Sequence, residues 1–358
     1  MALMSVPIEA ELRPPVGTLL RAIPPSARAI VVGPPGSGKT VLAVHMAHRA
    51  STLYPTEMLV ASEHLVQWVR QALADAPNVS VSNWRTWIGQ DYSEATRGAL
   101  PKEARDSHHG FRWGILERAF AKLGPSKRTI IVDEAQDVPA PLMRILAHRA
   151  RGLLAFADPV QRFANEGSTV EDLVDAVAAD DPWPVFVLEE DYRTTRAIQA
   201  FATAAWVPER ERVARPARRN GPLPTVRSGG APMVVEEVIR WLDDTAVDTL
   251  VVATAQTERA PLLAALTQSG IDVARRPHVD DACVRVLAFE ALRGLEFDAV
   301  VLAPPSETRD EVSIHRANLY VAATRARYGL SLVVPEPTPP HLEDDLYRAA
   351  GRYVGASA

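Results

Sequence analysis

Short apolar runs alternate along the chain with longer segments in which apolar residues recur at helical spacing. In the first half, periodic segments separate the runs AIVVG, EMLVAS, TIIVDE, GLLAFAD and VFVLEE. Apolar runs of about four to eight residues bounded by turn residues predict buried strands, and a period of about 3.6 predicts helices. Strands and helices in regular alternation indicate a parallel sheet covered by helices on both faces.

The same alternation restarts after the segment DYRTTRAIQAFATAAW. It continues through TLVVATA, VRVLAFE, DAVVLAPP and GLSLVVPE, with periodic segments between them. A chain of 358 residues is also longer than one ordinary core, which suits about 150 to 200 residues. We therefore predict two α/β domains, residues 1–185 and 186–358, with a small insertion at about 90–126 in the first.

Composition limits the classes of function. Net charge is -5 and the pI is near 6.0, so any contact with nucleic acid must be local. No apolar run reaches the roughly 18 residues of a membrane helix, and the N-terminus has two glutamates and paired prolines where a signal peptide needs basic and apolar residues. Cys283 has no internal disulfide partner, and His108 and His109 lack ligand partners at metal-binding spacing. These features predict a cytoplasmic protein.

The segment VVGPPGSGKT has the spacing G-x-x-x-x-G-K-[ST] between a predicted strand and a predicted helix. This context is the one that a phosphate-binding loop requires. Lys39 would reach the β- and γ-phosphates of a nucleotide, and Thr40 would bind Mg²⁺. The loop backbone would surround the phosphate oxygens at Gly33, Gly36, Ser37 and Gly38.

The segment TIIVDEAQD supplies the acidic residues that such a site needs. The apolar run IIV predicts a central strand, and Asp133 and Glu134 follow at its carboxyl end, where α/β sheets bind ligands. Asp133 would hold Mg²⁺. Glu134 would orient and deprotonate the attacking water, a role that an NTP hydrolase needs.

The order of several motifs resembles superfamily one helicases of the UvrD/Rep type. DEAQD matches the acidic motif of that family, and ADPVQ is similar to its G-D-x-x-Q motif. The resemblance implies two RecA-like P-loop domains with the ATP site in the cleft between them. It also implies that Gln161 senses the γ-phosphate and links nucleotide state to domain movement.

Three later segments extend the resemblance. DYRTT is similar to N-Y-R-[ST], which implies that Tyr192 stacks on adenine and Arg193 reaches the γ-phosphate. LRGLEFDAVVL is similar to K-G-L-E-F-D-x-V, which implies that Glu296 contacts the ribose beside Gly294. LYVAATRAR is similar to Y-V-A-x-T-R-A, which implies that Arg325 is a second arginine finger. The short spacing between motifs indicates a compact subgroup without the large accessory insertions.

Candidate contacts with nucleic acid are fewer. NWRTW is similar to the family's T-F-H-S, which lines the DNA groove, so Trp84 and Arg85 would be a contact pair with Ser62 nearby. After Gln161 the family usually has several aromatic residues, whereas here Phe163 is the one that the segment RFANEGST offers. Both tryptophans of NWRTW also fit a packing role.

These observations predict an enzyme that hydrolyses ATP with Mg²⁺ and couples hydrolysis to movement on single-stranded DNA or to unwinding, with 3′ to 5′ polarity by resemblance. The alternative is an ATP-driven conformational switch that regulates a protein partner, including a nuclease, with little or no strand separation. The net charge of -5 and the scarcity of aromatic residues after Gln161 favour the switch. The order of the motifs favours the motor.

Overall fold

The computed structural model describes residues 9–60, 63–105, 110–159, 167–177, 182–208, 217–274, 284–292, 295–307 and 312–353. The chain divides between Glu189 and Glu190 into an N-terminal and a C-terminal unit, and each is described by itself. Four of the predicted site residues lie outside the described residues: Ser62, Gln161, Phe163 and Gly294.

Within the described ranges, the N-terminal unit contains one sheet of six parallel strands. Its spatial order is β3-β2-β4-β5-β1-β6. The strands are β1 (Arg28–Val32), β2 (Thr56–Val60), β3 (Val79–Asn83), β4 (Thr129–Val132), β5 (Gly152–Ala157) and β6 (Val185–Val187).

Helices connect these strands and cover both faces of the sheet. They are α1 (Pro14–Ala22), α2 (Lys39–Ser51), α3 (Glu63–Ala72), α4 (Trp84–Thr96), α5 (Trp113–Phe120), α6 (Ala140–Arg149) and α7 (Val170–Val177). One core lies under α4 to α7, and the other lies under α1 to α3.

The central strands β4 and β5 are almost entirely apolar because both faces are covered. Every residue of β4 and of β5 is buried, which is the usual condition of a parallel strand between two helical layers. Gly152 begins β5 where a Cβ atom would lie 2.7 Å from the backbone of Ser26, so a side chain cannot be accommodated there. These two strands pair directly and bring the residues after their carboxyl ends to the same edge of the sheet.

The structure bears on the predicted domain boundary after residue 185 and on the predicted insertion at about 90–126. Val185–Val187 pairs with β1 and is an edge strand of the N-terminal unit, so the predicted boundary after residue 185 falls inside a strand. The first residues of the predicted insertion, 90–96, complete α4. Further along, Leu116 and Phe120 of α5 are buried in the same core as β4, so this segment is an integral part of the unit.

The C-terminal unit contains a second parallel sheet. Among the described residues it has five strands in the order β11-β10-β12-β13-β9, and a separate parallel pair is formed by β7 and β8. The strands are β7 (Asp191–Thr195), β8 (Ala217–Arg219), β9 (Thr225–Ser228), β10 (Leu250–Thr254), β11 (Val284–Ala288), β12 (Phe297–Ala303) and β13 (Ala326–Val334).

Helices also belong to this unit, and most of them pack against its strands. They are α8 (Arg196–Trp206), α9 (Ala231–Leu242), α10 (Arg259–Gln268), α11 (Val312–Ala323) and α12 (Pro340–Tyr353). Val234 and Trp241 of α9 and Leu262 of α10 pack on β10 and β12 in one core. Two parallel sheets flanked by helices confirm the predicted α/β fold class and are consistent with two RecA-like domains.

Among the helices of the described ranges, none combines the length and the apolarity needed to cross a membrane.

Candidate nucleotide site

The P-loop connects β1 to α2 at the carboxyl edge of the first sheet. Gly36 and Gly38 have φ angles of 74° and 92°, in the left-handed region that favours glycine. Gly38 is the N-cap of α2, so the loop leads directly into a helix N-terminus. The buried Ser37 hydroxyl has no hydrogen-bond partner among the described residues. Backbone amides and a helix N-terminus together suit a phosphate group.

The loop folds around the ammonium group of Lys39. Its Nζ donates hydrogen bonds to the carbonyl oxygens of Gly33 and Pro34, at 2.8 and 2.9 Å. The same atom lies 3.5 Å from a carboxylate oxygen of Asp158, which follows β5. The Lys39 and Asp158 side chains are only 8% and 1% exposed. The lysine charge is therefore held inside the loop, where a phosphate group would meet it.

Asp133 follows β4 and is buried beside the loop. Burial and the neighbouring Glu134 together raise the pKa of Asp133 to about 7, although Thr40 and Lys39 oppose the rise. Within the described residues, neither Asp133 carboxylate oxygen has a hydrogen-bond partner. A buried carboxylate of this kind is costly unless it binds a cation.

Glu134 has an unusual backbone conformation, with φ 54° and ψ 47°. A non-glycine residue in the left-handed region is strained, and such strain concentrates at functional sites. Its half-buried side chain accepts a 2.7 Å hydrogen bond at Oε2 from Nε2 of Gln136. The structure thus brings Lys39, Asp133 and Glu134 together at one edge of the sheet.

The residues at this edge fit a magnesium ion. Mg²⁺ prefers oxygen ligands and usually takes one or two carboxylates, with the other positions filled by water and phosphate. Asp133 offers carboxylate oxygens without hydrogen-bond partners, and the Thr40 hydroxyl lies near enough to lower the pKa of Asp133. In the described part of the chain, no group of three or more His, Cys, Asp or Glu residues could hold a metal ion.

The raised pKa of Asp133 leads to a prediction about stability. Because the pKa is about 7 in the folded protein and about 3.9 in an unfolded chain, the charged carboxylate destabilises the fold fully above pH 7. This cost disappears as pH falls towards 4. We expect Asp133→Asn to raise the free energy of unfolding at pH 8, without nucleotide or Mg²⁺, and to have little effect near pH 4.

Chemical denaturation at several pH values checks this prediction. Asp75 provides a matched control because its side chain is 82% exposed, so Asp75→Asn should change stability little at any pH. A less stable Asp133→Asn protein at pH 8 would contradict the expected sign.

The C-terminal unit brings other predicted residues together. Arg193 of β7 forms an ion pair with Glu296, which immediately precedes β12. The backbone of Arg325 is close to this pair, since its carbonyl oxygen accepts a 3.0 Å hydrogen bond from the amide of Phe297. Arg325 is 3% exposed. The sequence predicted separate roles for Arg193 and Glu296 on a nucleotide, and the structure shows that each is the partner of the other.

The segment around Tyr192 is held by its neighbours. The Tyr192 hydroxyl donates a hydrogen bond to Glu190. The buried Asp191 accepts from the amides of Arg193 and Thr194, at 2.7 and 3.1 Å, although burial still raises its pKa. These contacts hold the backbone on both sides of Arg193 in β7. The stacking of Tyr192 on adenine stays a prediction.

Trp84 occupies a different environment from the one expected of a DNA-stacking residue. Its side chain is 5% exposed, and its ring centroid lies 6.3 Å from those of Phe111 and Trp113. Trp87, the second tryptophan of NWRTW, is 2% exposed. The structure therefore favours the packing role for both. Arg85 is exposed, with its guanidinium carbon 4.3 Å from the Trp84 ring centroid.

Sequence reasoning missed several residues next to these sites. Gln136 lies in the motif DEAQD and Asp158 lies in ADPVQ. Their places in these motifs could have indicated that they belong to the site. Phe111 and Trp113 are half-buried and have exposed arginines around them, at positions 85, 105 and 112. Their proximity to Trp84 depends on how the segment 97–112 folds, so local spacing gives no indication of it.

Comparison with known protein families gives a match to most of the N-terminal unit. Residues 27–162 match a family model described as an AAA domain. This stretch includes the P-loop, Asp133, Glu134 and Asp158. The search of curated proteins gave no match. The loop geometry and the family match together identify the N-terminal unit as a P-loop nucleotide-binding domain.

Three solved structures are similar to parts of this chain. The C-terminal domain of a possible DNA helicase from Lactobacillus plantarum is 26% identical over 42% of this chain and 91% of its own, with a TM-score of 0.36. Arterivirus nonstructural protein 10, a helicase, is 15% identical over 86% of this chain and 60% of its own, with a TM-score of 0.45. The PRRSV helicase is 14% identical, with coverage of 89% and 55% and a TM-score of 0.42. The chain thus spans little more than half the length of these viral proteins.

Proposed function

We propose that the protein is an ATP hydrolase that requires Mg²⁺. The observation that carries this proposal is the placement of Glu134 at the P-loop edge, beside the buried Asp133 and fixed by Gln136. A protein that only binds nucleotide needs the loop but has no use for a base oriented in this way. The combination therefore supports hydrolysis rather than binding without turnover.

Each residue has a defined part in this reaction. Lys39 exchanges its carbonyl partners in the loop for phosphate oxygens of the nucleotide. Thr40 and Asp133 would hold Mg²⁺, which, when bound, neutralises charge that develops on the phosphates. Glu134 orients the attacking water and accepts its proton. The ammonium group and the loop amides are already in place before the reaction, which is what makes electrostatic stabilisation effective.

The finer proposal is a motor of the superfamily one, UvrD/Rep-like type that acts on single-stranded DNA with 3′ to 5′ polarity. It rests on the motif resemblance, which assigns the γ-phosphate to Gln161, Arg193 and Arg325. The same resemblance assigns the nucleoside to Tyr192, Gly294 and Glu296. The similar structures include helicases, one of them in complex with DNA, and the same type of activity is proposed for this chain.

A local basic patch supports contact with nucleic acid. Arg85, Arg105 and Arg112 are exposed around the half-buried rings of Phe111 and Trp113, in a chain whose net charge is -5. Single-stranded nucleic acids bind where cations follow the backbone and aromatic rings meet the bases. Arg85 follows β3 and so lies at the carboxyl edge of the sheet, as does the P-loop.

The second candidate function is an ATP-driven switch for a protein partner. The burial of Trp84 favours it, because this tryptophan, the predicted contact with DNA, packs in the core. A switch would retain the ATP site and would need no stacking residues.

The experiment that separates the two functions is the ATPase rate with and without single-stranded DNA. A motor predicts Mg²⁺-dependent hydrolysis that single-stranded DNA stimulates, with binding that weakens as salt increases. A switch predicts hydrolysis that DNA leaves unchanged. Absence of hydrolysis under all conditions, with nucleotide bound, would contradict both.

Charge-reversal variants connect DNA binding to the patch. We expect Arg85→Glu and Arg112→Glu to weaken binding of labelled single-stranded DNA at low salt. Each lost phosphate contact should reduce the slope of log affinity against log salt by about 0.7. Lys122→Glu makes the same charge change at an exposed position beyond the other end of α5 and should bind like the wild type. Equal effects of all three would assign the losses to net charge rather than to the patch.

A further inference from the structure

Gln136 connects two parts of the N-terminal unit that are distant in sequence. Its side chain Nε2 donates to Oε2 of Glu134 at 2.7 Å, and its Oε1 accepts from the backbone amide of Asp158 at 2.9 Å. The first contact is two residues away in the chain and the second is 22 residues away. The amide group thus joins the segment that follows β4 to the residue that follows β5.

The orientation of this amide follows from its partners. A backbone N–H can only donate, so the oxygen of Gln136 must face Asp158. The nitrogen must then face the carboxylate of Glu134, which accepts. Gln136 is 2% exposed, and a buried hydrogen bond to a charged group is stronger than one between neutral groups. Rotation of the amide would break both bonds together.

The backbone of Gln136 makes a further contact with the same region. Its carbonyl oxygen accepts a 2.9 Å hydrogen bond from the amide of Ser168. Gln136 therefore holds Asp158 through its side chain and Ser168 through its main chain. Asp158 is in turn 3.5 Å from the ammonium group of Lys39.

These contacts lead to a role in the chemistry proposed above. Glu134 has a strained backbone, and the direction of its carboxylate depends on what holds the side chain. We propose that Gln136 is a positioning residue, which fixes the Glu134 carboxylate for proton transfer and ties it to the segment that contacts Lys39. This inference rests on the proposed ATP hydrolysis. Gln136 itself touches neither nucleotide nor water in the reaction.

Two substitutions separate the contacts of Gln136. Gln136→Glu keeps the shape and can still accept from the Asp158 amide, but its ionised carboxylate cannot donate to Glu134. Gln136→Met keeps most of the volume and removes both side-chain bonds. We expect both to lower kcat by about 10- to 100-fold, the range that misplacement of a catalytic group produces, while KM and the affinity for a fluorescent ATP analogue change less than about twofold. Gln90→Glu, at an exposed glutamine, is the matched control and should retain wild-type kcat.

A double-mutant cycle distinguishes positioning from a structural role. If Gln136 acts through Glu134, then Gln136→Met should cause no further loss of kcat in a Glu134→Gln protein, because the group that it positions is already absent. A loss of equal size in both backgrounds would overturn the proposal, as would wild-type kcat in both single variants. Failure of both variants to fold, judged by circular dichroism and thermal melting, would show a structural role and would also overturn it. If the wild type bound nucleotide without hydrolysis, the proposed function would fail and this inference with it, whereas normal hydrolysis by the Gln136 variants would remove only the inference.

Discussion

We expect Lys39→Ala to lose ATP hydrolysis, with kcat reduced by on the order of 10³, the upper end of what loss of one preorganised donor costs. The ammonium group lies inside the P-loop, within 3 Å of two loop carbonyl oxygens. It is the cation that would meet the β- and γ-phosphates in the loop. Steady-state hydrolysis with saturating Mg²⁺ and ATP measures the loss.

The same substitution has a second consequence that must be separated from catalysis. Lys39 is 3.5 Å from the buried carboxylate of Asp158, and removing one partner of a buried ion pair costs up to about 3 to 5 kcal/mol. Lys39→Ala should therefore also lower the free energy of unfolding. The double variant Lys39→Ala with Asp158→Asn removes both charges, and we expect it to regain stability without regaining activity. Recovery of hydrolysis in the double variant would show that the lysine acts on the fold and not on the phosphates.

The sequence predicted most of the fold because the relevant physics is local. A parallel strand buried on both faces is mostly apolar, so TIIV and GLLAFA could be recognised as β4 and β5. The P-loop could be recognised because its glycines have conformations that other residues rarely adopt, and a strand and a helix must flank it. For the same reason, Lys39, Asp133 and Glu134 could be assigned to one edge of the sheet.

Contacts between distant segments were not predictable in the same way. The partner of Gln136 is 22 residues away, and only the pairing of β4 with β5 brings the two together. Arg193 and Glu296 could each be assigned to a nucleotide by resemblance, but local patterns contain no information that they form an ion pair. The choice between stacking and packing for Trp84 stayed open because Phe111 and Trp113, which pack against it, belong to another segment of the chain.

Replacement of Glu134 by glutamine should separate nucleotide binding from hydrolysis. The introduced amide would keep the size of the side chain but could not accept a proton from water, so we expect kcat to fall by on the order of 10² to 10⁴, the usual contribution of a general base. Affinity for ATP and Mg²⁺ should be retained, because Lys39, Thr40 and Asp133 are unchanged. Equilibrium titration with a fluorescent ATP analogue and single-turnover hydrolysis measure the two properties on the same protein.

The control for this prediction is a second carboxylate at the same edge of the sheet. Asp137 is 8% exposed and ends the short helical turn Ala135–Asp137 that Glu134 begins, so Asp137→Asn makes the same chemical change three residues from the base. Because the proposed mechanism assigns the base to Glu134, we expect the loss of kcat in Asp137→Asn to be much smaller than that in Glu134→Gln, even if stability decreases. Near-normal turnover in Glu134→Gln, together with a large loss in Asp137→Asn, would move the base to Asp137. Slow hydrolysis with normal binding in Glu134→Gln would instead leave Glu134 as the residue that converts a nucleotide-binding loop into an ATPase.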